Sequence, residues 1–161
     1  MKNLFDKKIF IWFLGLFVLA IELVFIAFNL TNLNVLTYLL CIGFVPAIIL
    51  FATSLIYSSF ANKTKLIKYV LAIVVALVFS AILLTFCELM ISTEIVNQII
   101  ENSMTSDTTQ VSMNTATAGD NIQSVLLYVA FSGVGCFIGT SIYKKKMSKN
   151  VSNNANINEY D

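Results

Sequence analysis

Four apolar stretches, each long enough to cross a lipid bilayer as a helix, dominate this chain, and every lysine falls outside their cores. They run from 9 to 30, 35 to 60, 66 to 90 and 122 to 143. A helix rises about 1.5 Å per residue, so about 20 apolar residues span a ~30 Å hydrocarbon core. Lipid leaves backbone N–H and C=O groups no external partner, so such segments must satisfy them internally, as helices. Composition agrees: 58% of the 161 residues are hydrophobic and only 12% are charged, against roughly a quarter charged in soluble domains. The expected fold is all-α and integral to a membrane: four helices in an up-down bundle, forming one domain over 1–143.

The ten lysines sit at 2, 7 and 8, at 63, 65 and 68, and at 144, 145, 146 and 149, and there is no arginine. Lysine excess near span ends marks the cytoplasmic side. The N-terminus, the second link and the C-terminal tail hold every lysine; the first link and 91–121 hold none. The reading is therefore N-in and C-in, a multi-pass protein of the plasma membrane. Lys2, Lys7 and Lys8 before an apolar run also fit a signal peptide. The run is longer than an h-region of about 7–15 residues, and no A-x-A site follows, so it reads as a retained anchor. The lysine clusters are short and border apolar segments, which gives no reason to expect a nucleic-acid partner.

The links carry further information. Asn29-Leu30-Thr31-Asn32-Leu33-Asn34 is turn-like and makes the first two spans antiparallel neighbours. Pro46, the only proline, falls near mid-membrane, removes a backbone donor and predicts a kink. Beyond the third span, Ile91, Ile95, Val96, Ile99 and Ile100 recur at helical spacing among Glu94, Asn97, Gln98 and Glu101. The third helix is thus expected to extend outside the lipid to about Asn102, or to bend onto the interface. From Ser103 to Asn121 the chain is rich in Ser, Thr, Asn and Gly and reads as a loop. The tail, 144–161, lacks the apolar content for a core and reads as disordered.

Glu22 is the residue that most needs a reason. It lies roughly 20 Å along the first helix from Ile9, where a charge costs about 2.5–3.5 kcal/mol on insertion scales. Gly15, Glu22 and Asn29 repeat every seven residues and so share a face turned away from lipid. The functional reading is an intramembrane proton or cation site; the structural reading is a glutamate hydrogen-bonded between helices. Ala81, Thr85, Glu88 and Ser92 share a face of the third helix, and Glu88 either lines an outer vestibule or reaches the headgroup level.

The fourth span contains Gly135-Cys136-Phe137-Ile138-Gly139, a small-residue pattern that lets backbones approach closely. Tyr128, Ser132, Gly135 and Gly139 share its face. Packing within the chain and self-association, or docking to another membrane protein, are the two readings. Ala72, Ala76 and Ser80 give the third helix a matching small face. Cys41, Cys87 and Cys136 all lie in apolar segments, without C-x-x-C and without histidine. Zinc, haem and Cys–His chemistry are therefore not indicated, and no metal or other cofactor is expected. A membrane thiol oxidoreductase would need an accessible low-pKa thiolate, for which no pattern is visible. Asn29-Leu30-Thr31 is a sequon that hugs the membrane.

Four helices with a glutamate in the first resemble small multidrug transporters, though the residues around Glu22 do not match theirs. The long segment before the last helix resembles that of tetraspanins, whose Cys-Cys-Gly signature is missing. No family assignment follows. Without catalytic groups, the expected role is non-enzymatic: an accessory or assembly subunit that engages lipid and other membrane proteins. The alternative is a small proton- or cation-coupled transporter using Glu22.

Overall fold

A computed structural model describes residues 7–103 and 118–157. The described chain is all-helical. Helix α1 spans Phe10–Asn29 and ends in a 3₁₀ turn, Leu30–Asn32. Helix α2 covers Val35–Phe60, with a π turn at Leu40–Phe44 inside it. Helix α3 is Lys65–Met90, the short α4 is Thr93–Glu101, and α5 is Ala118–Ile157. Four of these helices are long and apolar enough to cross a membrane: Phe10–Asn32, Val35–Phe60, Lys65–Met90 and Ile122–Ser148. By helix composition this is a multi-pass membrane protein, and its outward surface is correspondingly apolar. Phe17, Phe25, Phe28, Leu66, Leu89 and Phe137 are all exposed, as expected where lipid is the solvent.

Chain order and packing order differ. The main interface joins α2 to α5; α5 also packs on α3, and α1 packs on α2. Contacts between α2 and α5 advance in the same direction along both: Tyr128 meets Ile42, Ser132 meets Ser54, Cys136 meets Ser58, and Tyr143 meets Asn62 just beyond α2. The two helices run parallel. Sequence neighbours α2 and α3, joined by a four-residue link, touch far less. The reason is steric. Gly135 lies against the Phe51 carbonyl, and Gly139 against the Leu55 carbonyl, the Ser58 side chain and the Ser59 backbone nitrogen. A Cβ at either glycine would hold α2 away. The G-x-x-x-G face is thus covered within the chain, by α2. The small face of α3 meets α5 one step along: the Ser132 hydroxyl donates to the Ala72 carbonyl at 3.0 Å.

The interior is layered. Leu19, Ala47, Leu50, Ala76, Phe79, Leu83 and Tyr128 form the central cluster. Trp12, Tyr57, Ala61, Ala72 and Cys136 form a second toward one end, with the Trp12 and Tyr57 rings 5.8 Å apart. A third, at the other end, unites Ile26, Leu30, Leu33 and Ile99. Ile99 comes from α4, which turns back at Ile91–Ser92 and lies over the α1–α2 link. Ser92 Oγ caps it by accepting from Ile95 N, and its apolar face buries Val96 and Ile99. Asn102 Nδ2 then donates to the carbonyls of Thr31 (2.8 Å) and Leu33 (3.0 Å), and Val35 N donates to Ser103 Oγ at 2.7 Å. Those bonds satisfy carbonyls and an N–H that a helix-to-helix turn leaves without partners.

Two boundaries differ from the sequence expectation. The tail from 144, expected to be disordered, continues α5 as helix to Ile157. Extending an existing helix fixes one residue per hydrogen bond, without a new nucleation cost, so polar residues can follow the span. The loop expected over 103–121 gives way to helix at Ala118; its middle, 104–117, lies outside the described residues, as do 158–161.

Candidate functional site

On α1 the buried positions Trp12, Gly15, Leu19 and Ile26 mark an inward stripe at helical spacing, and Glu22 falls in its gap. Leu19 and Ile26, one turn either side, are fully enclosed. The backbone therefore commits the Glu22 side chain to the bundle. Both carboxyl oxygens are closed off from solvent and have no hydrogen-bond partner among the described groups. Cys41 on α2 and Tyr128 on α5 are within electrostatic reach of it. Tyr38 on α2 and Cys87 on α3 are in turn within reach of Tyr128. Residues from all four long helices thus come near one another in this part of the interior.

The π turn of α2 faces this region. Its widened ladder includes Val45 N to Leu40 O, and Pro46 follows at once. Proline has no N–H, so the α-helical donor to the Ile42 carbonyl is missing. The Tyr128 hydroxyl donates to that carbonyl instead. The Tyr128 ring is buried and stands edge-on to Phe79 at 5.8 Å. Single π turns inside helices occur frequently at functional positions.

The other residues singled out in the sequence separate. Gly15 packs tightly against the Thr53 side chain. Asn29 does not join Glu22: its Nδ2 donates to Phe25 O at 2.9 Å, within its own helix. Glu88 is exposed at the end of α3. Ser132, Gly135 and Gly139 are buried and hold α5 to α2 and α3. The cysteines are all free; Cys136 is buried and accepts from Ser58 Oγ at 3.2 Å. Among the described residues no group of His, Cys, Asp and Glu is arranged to hold a metal ion.

Sequence reasoning missed the serines of α2. Ser54 Oγ donates to the Ser132 carbonyl at 2.5 Å, and Ser58 bonds Cys136. The signal was present, since Ser54 and Ser58 are one helical turn apart. It also missed Lys68, which is 1% exposed, with its Nζ donating to Ser58 O at 2.7 Å and lying 4.2 Å from the Tyr143 ring centre. Comparison with family models, with curated proteins and with solved structures found no match, so the site rests on its own geometry.

Proposed function

We propose that this chain is a non-enzymatic multi-pass protein of the plasma membrane that binds a proton or small cation at Glu22 and couples it to transport. Its N- and C-termini would lie in the cytoplasm, as the lysine distribution suggests. One contrast carries the reading. The interior hydroxyls of Ser54, Ser58, Ser80, Ser132 and Tyr128 all have hydrogen-bond partners, whereas both oxygens of Glu22 have none among the described residues. A glutamate that only joined helices would be bonded across the bundle, as the hydroxyls of Ser54, Ser58, Ser132 and Tyr128 are. An intramembrane carboxyl without a protein partner is the arrangement that leaves room for an ion or proton as the partner.

A second reading is an accessory or assembly subunit. It is favoured by α4, which presents Glu94, Asn97 and Glu101 outward while its apolar face is held down. Reconstitution into liposomes separates the two. Wild-type protein carrying a pH gradient or cation flux, with Glu22→Gln reducing it at least about tenfold, supports the transport reading. Wild-type liposomes that are tight across roughly pH 5–9 overturn it. Co-purification with a larger complex that Glu22→Gln leaves intact favours the accessory subunit.

A further inference from the structure

Helix α4 covers one mouth of the bundle. It packs on the 3₁₀ turn Leu30–Asn32 and on the start of α2. Its inward face buries Val96 and Ile99, while Glu94, Asn97 and Glu101 are exposed on the other side. Ile99 is fully enclosed in a cluster with Ile26, Leu30 and Leu33, against which Tyr38, Cys41 and Ile42 also pack. Ile26 stands one turn from Glu22, on the same inward stripe of α1. Glu22 comes seven residues before Asn29 at the end of α1, and Cys41 six after Val35 at the start of α2. By helical rise, Glu22 and Cys41 both lie about 10 Å below the end that α4 covers. The cluster that α4 completes therefore sits between Glu22 and the water on that side.

The attachment of α4 is local. Helix α3 ends at Met90, and the non-helical Ile91 and Ser92 join it to α4. At its far end, Asn102 Nδ2 donates to the Thr31 and Leu33 carbonyls, and Ser103 Oγ accepts from Val35 N. Thr31, Leu33 and Val35 belong to the link between α1 and α2 and to the first turn of α2, where water can replace α4 as their partner. The close contacts of Gly135 and Gly139 that join α5 to α2 involve none of these residues. A segment with few buried apolar residues and bonds that water can replace opens more readily than the core it covers. We propose that α4 is a plug that closes the bundle above Glu22 and lifts to admit an ion. The lifting rests on the ion-site reading of Glu22; the closure stands on the packing.

The test is the rate at which an impermeant methanethiosulfonate reagent, present on both faces of proteoliposomes, modifies Cys41 in the full chain. Mass spectrometry identifies the modified cysteine. Cys41 should react slowly in wild type and on the order of tenfold faster in Asn102→Ala, which removes both bonds to the link. Asn97→Ala, on the exposed face of the same helix, should react as wild type does. Cys136, enclosed toward the other end of the bundle, should stay unmodified throughout, which keeps a lifted plug distinct from an unfolded bundle. Equal Cys41 rates in wild type and Asn102→Ala overturn the proposal, and so does Cys136 becoming reactive along with Cys41. Ion flux in the same liposomes should rise in Asn102→Ala; faster labelling with unchanged flux overturns the lifting. Faster labelling in liposomes that carry no flux in any variant supports the closure and overturns the ion-site reading instead.

Discussion

The hydroxyl of Tyr128 on α5 donates to the carbonyl of Ile42 on α2, the carbonyl whose helical donor is missing because Pro46 stands four residues on. One helix thus repairs the ladder of another, and the repair fixes how far α5 slides along α2. It also places the phenol near Glu22.

That relationship predicts a coupling. Tyr128→Phe should lower stability in detergent by about 1 kcal/mol, the usual net worth of such a bond. In a Pro46→Ala background, where an N–H returns, the same substitution should have a smaller effect. Thermal or denaturant unfolding of the four proteins of the cycle measures this. Strict additivity would show that the bond does not compensate for the proline.

The glycines are not equivalent. Gly135→Ala or Gly139→Ala should destabilise by about 1–3 kcal/mol, since a methyl group would meet the α2 backbone and force the helices apart. Gly133→Ala meets nothing within 4 Å and should be neutral, or stabilise by up to ~1 kcal/mol through helix propensity. Melting curves of the three variants rank them. An equal response would mean that α5 does not approach α2 through this face.

Glu22→Leu should raise thermal stability while removing whatever Glu22 binds. Burying polar atoms without partners costs on the order of 1–3 kcal/mol, and both Glu22 oxygens are in that position. A lower melting temperature for Glu22→Leu would reveal a structural bond to this carboxyl and weaken the ion-site proposal.

All three thiols are free. A maleimide should therefore label three cysteines in denaturant without prior reduction. In the folded protein Cys136, fully enclosed and bonded to Ser58, should be protected. Labelling that appears only after reduction would revive thiol–disulfide chemistry.

Orientation has a direct readout. Asn97 is exposed on α4, and the proposed N-in, C-in orientation predicts that α4 faces outward. In a cysteine-free background, Asn97→Cys should react with an impermeant maleimide on intact cells. Reaction only after permeabilisation would invert the topology.

Much of the fold was legible in the residues because lipid imposes a simple rule: uninterrupted apolar runs become helices. The four spans agree with the sequence reading to within a few residues at their ends. The spacing of Ile95, Val96 and Ile99 likewise announced α4, though not that Asn102 would tie it down over the α1–α2 link. The disorder expected of the tail was misjudged because low apolar content rules out a core but not the continuation of a helix already begun.

By itself, the sequence determined the number and length of the candidate spans, the segregation of lysine and the position of Glu22 along the first of them, because each follows from local composition and helical rise. Only the tertiary structure decided which faces meet. It set α5 parallel against α2 through Gly135 and Gly139, left Asn29 on its own helix, and gave the interior hydroxyls of Ser54, Ser58, Ser80, Ser132 and Tyr128 partners, while among the described residues Glu22 received none. The physical reason is that lipid is as apolar as the side chains facing it, so hydrophobicity drives helices into the membrane but does not select their neighbours. That selection depends on close steric fit and a few hydrogen bonds between residues far apart in the chain.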